Sequence, residues 1–290
     1  MWDQIATHIS RATGQLFEVT QSRSVSGGCI NQGYRLVGGD RAFFVKVNQA
    51  AQVAMFEAEA EGLREMDGTR TIRVPRPICW GKTENSGYLV LEWLDLGRGN
   101  SNAWEAMGRQ LADLHRHISQ KGFGWQLQNT IGSTPQTNPW TQTWIDFWVE
   151  HRIGYQFHLA QRRGGYFPKQ QQLIAAIPEL LSHHNPQPSL VHGDLWSGNA
   201  AVTRSGEPII FDPATYYGDR EVDLAMTELF GGFPSEFYRA YQQVFPVPDG
   251  YKQRKTLYNL YHILNHFNLF GGGYESQANS MIETVLGNGC

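Results

Sequence analysis

The sequence of 290 residues has little cysteine, no long apolar run and no surplus of positive charge. Cys29, Cys79 and Cys290 are too few and too scattered for a disulfide framework or a four-ligand zinc site, which fits a reducing compartment. No apolar stretch approaches the roughly 20 residues that span a bilayer, and the first residues lack a basic region followed by an apolar one. We therefore expect a cytoplasmic protein without a membrane partner.

Charge also restricts the class of partner. Lys and Arg number 24 against 27 for Asp and Glu, a formal net charge of −3, so no basic surplus is available for a polyanion. Nucleic acid is therefore not an expected partner. Hydrophobic residues at 41% and aromatic residues at 12% exclude a disordered chain and predict a large buried or ligand-lining aromatic surface.

The first part of the chain alternates between apolar and polar residues, which predicts an antiparallel sheet. The predicted strands lie at residues 24–26, 34–37, 43–47 and 88–91. Glycines at 38–39, followed by Asp40, predict a hairpin turn between two of them. The Ala-rich segment 50–66 has apolar residues at helical spacing and predicts one helix packed on the sheet.

Beyond residue 97 the pattern becomes helical, with Asn102 and Glu105 at the spacing of a capping box. We predict an α+β fold with a small antiparallel-sheet lobe over residues 1–91, a hinge over residues 92–96 and a mainly helical lobe over residues 97–290.

The segment from His192 to Asn199 carries the strongest chemical signal. Phosphoryl transfer needs a carboxylate that orients the attacking hydroxyl and oxygen ligands that hold Mg²⁺ against the phosphates of ATP. Kinases place these groups in an H-x-D motif with an Asn five residues beyond the Asp, which is the spacing of Asp194 and Asn199. A strand at residues 208–211 then delivers Asp212. Either acid alone could be a turn residue, but together they predict Asp194 as catalytic base and Asn199 and Asp212 as metal ligands.

The sheet lobe supplies the complementary phosphate-binding half. Lys46 lies within a strand, the context of the kinase lysine that contacts the α and β phosphates, and an acid on the following helix is expected to pair with it. Glu57 and Glu61 compete with Glu59, which shares the apolar face of the helix and is therefore preferred. The turn Ser26-Gly27-Gly28 is predicted to cover the phosphates with backbone N–H groups, although two glycines are a weak signal.

Further residues complete the predicted nucleotide site. The backbone of Glu92 and Leu94 in the hinge is expected to hold adenine, and Asp223 and His192 are expected to brace the catalytic loop. Only ten residues separate Asp212 from Asp223, and no A-P-E triplet ends an activation segment. The acceptor is therefore predicted to be small, or a small group on something larger.

Several segments together resemble the fructosamine kinase, or ketosamine-3-kinase, family: His192–Asn199, Phe211–Ala214 and Phe230–Pro234. The string Asp-Leu-Trp-Ser-Gly-Asn is specific to that family, whereas Leu111–His115 is shared with aminoglycoside and choline kinases. The resemblance implies a protein-kinase-like fold and ATP-dependent phosphorylation of the 3-hydroxyl of ketosamines, a step in the repair of glycated amines and proteins. Asp-Pro in place of Asp-Phe-Gly is also what this family shows.

Alternatives remain open for the acceptor and for the activity. Trp196, Tyr216 and Phe233 are predicted to line the acceptor site, although each could instead be a packing residue. The family resemblance also implies that Cys29 joins two chains on oxidation, so the chain is expected to be a monomer or a redox-dependent homodimer. Two alternative functions remain: a kinase of aminoglycoside or choline kinase type, and a non-catalytic ATP-binding module.

Overall fold

A five-stranded antiparallel sheet forms the first part of the computed structural model, which describes residues 1–26 and 30–287. The strand order is β1-β2-β3-β5-β4. Its strands are β1 (Gln21–Val25), β2 (Gln32–Gly38), β3 (Arg41–Gln49), β4 (Pro77–Lys82) and β5 (Ser86–Glu92). Four of them confirm the predicted strands, and β4 was missed because a proline opens it.

Two helices cover the two faces of this sheet. The helix α1 (Trp2–Thr13), which the sequence analysis did not predict, buries Ile5 and Ile9 against one face. On the other face lies α2 (Val53–Thr69), which follows a single 3₁₀ turn and confirms the predicted helix. Because successive strand residues point to opposite faces, Val45 and Val47 of β3 face α1, and Lys46 between them is directed toward α2.

The second part of the chain is mainly helical. Its helices are α3 (Ser101–Leu114), α4 (Trp144–Trp148), α5 (Tyr155–Arg162), α6 (Gln170–Leu180), α7 (Glu221–Leu229), α8 (Ser235–Val244), α9 (Tyr251–Phe270) and α10 (Tyr274–Gly287). The capping residue of α3 is Asn100, whose side chain accepts from the N–H of Ala103, so the prediction of Asn102 was wrong. The α+β fold, with its small antiparallel sheet and helical second part, is confirmed.

Three short antiparallel pairs carry the loops of this second part. They are β6 (Asn129–Ile131) with β7 (Thr134–Gln136), β8 (Ser189–Val191) with β11 (Tyr216–Gly218), and β9 (Ala200–Val202) with β10 (Pro208–Ile210). The loop that holds Asp194 follows β8, and Asp212 follows β10. An apolar core that includes Leu63, Leu91 and Leu190 joins the sheet side to these loops.

Across the described ranges, 1–26 and 30–287, no helix combines the length and the apolar character that crossing a membrane requires.

Candidate active site

The loop after β8 places Asp194 and Asn199 side by side. The Nδ2 atom of Asn199 donates to the backbone oxygen of Asp194 at 2.8 Å and to its Oδ2 atom at 3.3 Å. Since its nitrogen is committed in this way, Asn199 can offer a cation only its Oδ1 atom. Gly193 has φ +83°, and a Cβ there would lie 2.2 Å from the backbone oxygen of Ala214. The loop therefore requires glycine directly before Asp194.

Asp223 holds this loop from beneath. Its buried carboxylate accepts from the backbone N–H groups of His192 at 2.7 Å and Gly193 at 2.8 Å, and from Nε2 of His115 at 3.0 Å. Although burial alone would raise it, these bonds lower the pKa of Asp223. His115 was not predicted to support this loop, although its position at the end of the Leu-Ala-Asp-Leu-His motif indicated a role at the site.

His192 links the two loops that carry the acids. Its Nδ1 atom accepts from the backbone N–H of Asp194 at 3.2 Å, and its Nε2 atom donates to the backbone oxygen of Phe211 at 2.9 Å. Burial lowers the pKa of His192, which favours the neutral ring that these two bonds require. The neutral imidazole therefore fixes the spacing between the loop of Asp194 and the loop of Asp212.

Lys46 joins the sheet, α2 and the loop after β10. Its Nζ atom lies 2.6 Å from Oε1 of Glu59 and 2.6 Å from Oδ1 of Asp212. Glu61, one of the competing acids, is instead paired with Arg64. Burial alone would lower the pKa of Lys46, but Asp212 and Glu59 outweigh it and raise that pKa, so the ammonium stays charged.

The two loop acids are close enough for the charge of Asp212 to act on Asp194. Burial and the nearby charge of Asp212 raise the pKa of Asp194 to about 7. Asp212 has φ +58°, a left-handed conformation that Asp tolerates better than most residues, and its side chain is 42% exposed. The carboxylate of Asp212 and the amide oxygen of Asn199 are the kind of oxygen donors that Mg²⁺ prefers, so these two residues fit a magnesium ion.

Trp196 is the exposed aromatic residue nearest to this centre in the sequence. It is 37% exposed, and its ring meets Phe230 edge-on at 6.1 Å between centroids. A Cβ on Gly198 would lie 2.3 Å from Cζ2 of Trp196, so the indole lies directly against the glycine. Phe230 in turn contacts His266 at 5.1 Å. These packing contacts hold the Trp196 ring in place and leave part of its surface exposed.

The acceptor role predicted for Tyr216 and Phe233 is wrong. Tyr216 is 2% exposed and packs against Phe147, and Phe233 is 7% exposed and packs against Trp104. Both residues lie next to turns, but their rings point into apolar cores. Neither has the accessible surface that an acceptor would need.

The predicted hinge and phosphate turn are described in part. The N–H of Glu92 donates to the backbone oxygen of Arg76 at 3.0 Å, and its carboxylate pairs with Arg73 at 2.8 Å. Leu94 is half-buried two residues later, and Ser26 is exposed directly after β1. The remaining residues of the predicted phosphate turn and the redox site, Gly27, Gly28 and Cys29, lie outside the described residues.

A small antiparallel sheet with a buried Lys–Glu pair, facing a loop with Asp194 and Asn199 and a second loop with Asp212, defines a kinase of the protein-kinase-like class. Within that class the chain is assigned by comparison with known proteins. It belongs to the fructosamine kinase family, whose model matches residues 1–288.

Similar proteins agree with this assignment over nearly the whole chain. A protein from Synechocystis named "probable ketoamine kinase" is 60% identical, over 98% of this chain and 97% of its own. The chloroplastic protein-ribulosamine 3-kinase of Arabidopsis thaliana is 45% identical, over 94% and 85%. The crystal structure of a protein described as a fructosamine-3-kinase, from Haemophilus somnus, has a TM-score of 0.93 at 29% identity, covering 99% and 98%. A choline kinase from Streptococcus pneumoniae shares the fold, with a TM-score of 0.68, 15% identity and 99% of both chains covered.

Proposed function

We propose that the protein transfers the γ-phosphoryl group of ATP to the 3-hydroxyl of a ketosamine, the sugar adduct of a glycated amine. The observation that carries the proposal is the pair of contacts Asn199–Asp194 and Lys46–Asp212, on two loops that His192 links, in a chain of the fructosamine kinase family. The names of the relatives, ketoamine kinase and protein-ribulosamine 3-kinase, support the acceptor class.

Asp194 acts as the base in this proposal. Its carboxylate accepts the proton of the 3-hydroxyl while the hydroxyl oxygen bonds to the γ-phosphorus and the bond from that phosphorus to the β,γ-bridging oxygen breaks, releasing ADP. A base is most effective when its pKa lies near the working pH, and the pKa of Asp194 is about 7. The hydrogen bond from the side-chain amide of Asn199 keeps the carboxylate of Asp194 oriented toward the acceptor.

Asn199 and Asp212 would hold Mg²⁺, which when bound supplies positive charge to the β and γ phosphate oxygens. Lys46 is already charged and held between Glu59 and Asp212, so it is placed to contact the phosphates with little rearrangement. We further propose that the backbone of Glu92 and Leu94 holds adenine and that the hinge lies at residues 92–96.

The exposed face of Trp196 is proposed to contact the amine part of the acceptor. A ketosamine carries a secondary ammonium beside its sugar, and a cation over an indole gains about 0.5–2 kcal/mol depending on desolvation. Because Trp196 follows Asp194 by two residues, an acceptor whose hydroxyl reaches Asp194 lies within reach of the indole.

The test is a panel of acceptors in an assay that couples ADP release to a chromophore. Ribulosyl-lysine and fructosyl-lysine are compared with choline and an aminoglycoside, and the Asp194→Asn variant gives the background. We expect acceptor-dependent ADP release with at least one ketosamine, and phosphorus NMR of the product should place phosphate on the 3-oxygen. Preference for choline or the aminoglycoside would overturn the acceptor class, and nucleotide binding without ADP release would favour a non-catalytic module.

A further inference from the structure

Two buried amide side chains lie directly behind the loop that carries Asp212. Asn129 and Gln136 are opposite each other in the hairpin of β6 and β7. The Nδ2 atom of Asn129 donates to the backbone oxygen of Thr215 at 2.7 Å, and Nε2 of Gln136 donates to that of Ala214 at 3.1 Å. The hairpin thus holds two consecutive carbonyl groups of the chain that follows Asp212.

These two side chains belong to a larger network, which we call the amide clamp: Asn129, Gln136, Asn138, Arg152 and Tyr261. Oδ1 of Asn129 accepts from Gln136 at 2.8 Å and from Asn138 at 3.0 Å. The hydroxyl of Tyr261 donates to Oε1 of Gln136 at 2.6 Å, and Nη2 of Arg152 donates to Oδ1 of Asn138 at 2.7 Å. Every amide oxygen of the clamp therefore has a donor, and satisfied buried hydrogen bonds of this kind make a network rigid. Among the described residues, the Nε atom of Arg152 has no hydrogen-bond partner.

The loop in front of the clamp has a conformation that needs support. A non-glycine residue with positive φ is uncommon, and such a conformation persists where the surroundings fix it. Asp212 has φ +58°. On the side opposite the clamp, the backbone N–H of Ala214 donates to the backbone oxygen of His192 at 2.8 Å. Ala214 is therefore held from both sides, two residues beyond the acid.

Protein kinases hold the loop after their metal-binding Asp through an activation segment, which phosphorylation orders. Here ten residues separate Asp212 from Asp223, and buried amides of a hairpin contact the loop instead. Amide side chains carry no phosphorylation site and no titrating group. The two side chains that contact the loop, Asn129 and Gln136, are both amides, so this direct contact does not depend on phosphorylation or on titration.

We propose that the amide clamp positions Asp212 for binding of the cation and the phosphates, replacing a regulated activation segment with a fixed one. The inference rests on the proposed role of Asp212 as a metal ligand. Asn129 and Gln136 are positioning residues, because they act through the backbone of Ala214 and Thr215.

The first test measures the loop itself, in the metal-free protein. Gln136→Met keeps the length of the side chain and removes its hydrogen bonds. Gln156→Met is the control, since Gln156 is equally buried, is bonded to Asn265 and Asn268, and meets the clamp at Tyr261 rather than at the loop. Hydrogen–deuterium exchange of peptides spanning residues 211–217 should be about fivefold faster in Gln136→Met, the size of one net hydrogen bond. It should be unchanged in Gln156→Met. Equal exchange in the two variants would overturn the proposal.

The second test measures ADP affinity with and without Mg²⁺. The gain in affinity that Mg²⁺ gives should fall about fivefold in Gln136→Met while the affinity without Mg²⁺ stays constant. If Gln136→Met does not fold, Tyr261→Phe, which removes the hydrogen bond to Gln136, is tested in its place by hydrogen–deuterium exchange and by ADP affinity. Unchanged exchange of residues 211–217 together with an unchanged Mg²⁺-dependent gain in affinity would overturn the proposed role of the clamp. Absence of a Mg²⁺-dependent gain in the wild type would instead overturn the metal role of Asp212, while the exchange comparison would still decide whether the clamp holds the loop.

Discussion

Two groups of acids differ in how their charge is balanced: an inner group, Asp219 and Glu221 at the start of α7, and the pair Asp194 and Asp212 at the candidate active site. In the inner group, Asp219 accepts from Nε2 of His184 and from the hydroxyl of Tyr258, at 2.6 and 2.5 Å. Glu221 of the same group receives two bonds of 2.7 Å from Arg254. At the candidate active site one cation, Lys46, is bonded to both Asp212 and Glu59, whereas the carboxylate of Asp194 accepts from the neutral amide of Asn199.

Asp219 therefore responds to burial differently from Asp194, whereas burial raises the pKa of Glu221 as it raises that of Asp194. Although burial alone would raise it, the bonds from His184 and Tyr258 lower the pKa of Asp219. Burial and the charge of Asp212 raise the pKa of Asp194 to about 7. The side chains of His184, Asp219 and Glu221 are close enough to hold a metal ion, but their ligand atoms are already bonded within the protein. We propose that the balanced acids stabilise the fold and that the unbalanced pair serves to bind a cation and to accept the proton of the substrate.

Removing the base should have the largest effect. Asp194→Asn keeps the shape of the side chain and loses proton acceptance, so turnover should fall about 10²- to 10⁴-fold while ADP affinity with Mg²⁺ stays within about threefold. Steady-state kinetics measures the turnover, and calorimetric titration measures the ADP affinity. Turnover close to that of the wild type would remove Asp194 from the chemistry.

A substitution in the inner group should lower stability and leave turnover nearly unchanged, the converse of Asp194→Asn. Glu221→Gln leaves the buried Arg254 without its charged partner, and breaking such a pair lowers the free energy of unfolding by about 3 kcal/mol. Turnover at a temperature where the variant is folded should stay within about twofold of the wild type. Denaturant unfolding and steady-state kinetics are the measurements, and a variant with normal stability and lost turnover would erase the distinction between the groups.

Asp212→Ala tests the unbalanced pair from the metal side. The variant loses a charged oxygen ligand, so the gain in ADP affinity on adding Mg²⁺ should fall at least about tenfold, equivalent to ~1.4 kcal/mol. Titrations with and without Mg²⁺ separate this effect from loss of nucleotide binding in general. An unchanged gain would place the metal on other residues.

Gly198→Ala should have the smallest effect. The added methyl group displaces the indole of Trp196, which lies against the glycine, and so disturbs the proposed contact with the ketosamine. The KM for the ketosamine should rise about threefold with little change in the KM for ATP, because a displaced cation–π contact is worth about 1 kcal/mol at most at a partly exposed site. A selective rise in the KM for ATP would show that this ring does not serve the acceptor.

Local spacing was enough to predict the centre of the site. Asp194, Asn199 and Asp212 lie within one continuous segment, in the loop between β8 and β9 and directly after β10, and Glu59 follows from the face of one helix. Hydrophobic periodicity and motif spacing can be recognised in a single sequence where the interacting residues share a helix, a strand or a short loop.

The rest depends on contacts between distant parts of the chain. Gln136 meets Ala214 across 78 residues, and the side of Tyr216 that faces Phe147 follows from the pairing of β11 with β8. Neither contact leaves a pattern in a single sequence. The helix α1 was missed for a different reason, because Ile5 and Ile9 were not recognised as one helix face ahead of the stronger strand signals.

The claim that the site keeps an unbalanced acid is tested most directly by the stability of Asp194→Asn as a function of pH. In the folded wild type, burial and Asp212 raise the pKa of Asp194 to about 7, whereas in the unfolded chain this pKa has its ordinary value. The protonated acid therefore contributes to the free energy of unfolding in full at low pH, and this contribution is lost as the pH rises through 7. The Asn variant has no such loss. Its midpoint of thermal unfolding should exceed that of the wild type at pH 8, with a difference that shrinks as the pH falls from 7 toward 4. A variant less stable than the wild type at pH 8, or a difference independent of pH, would contradict the account.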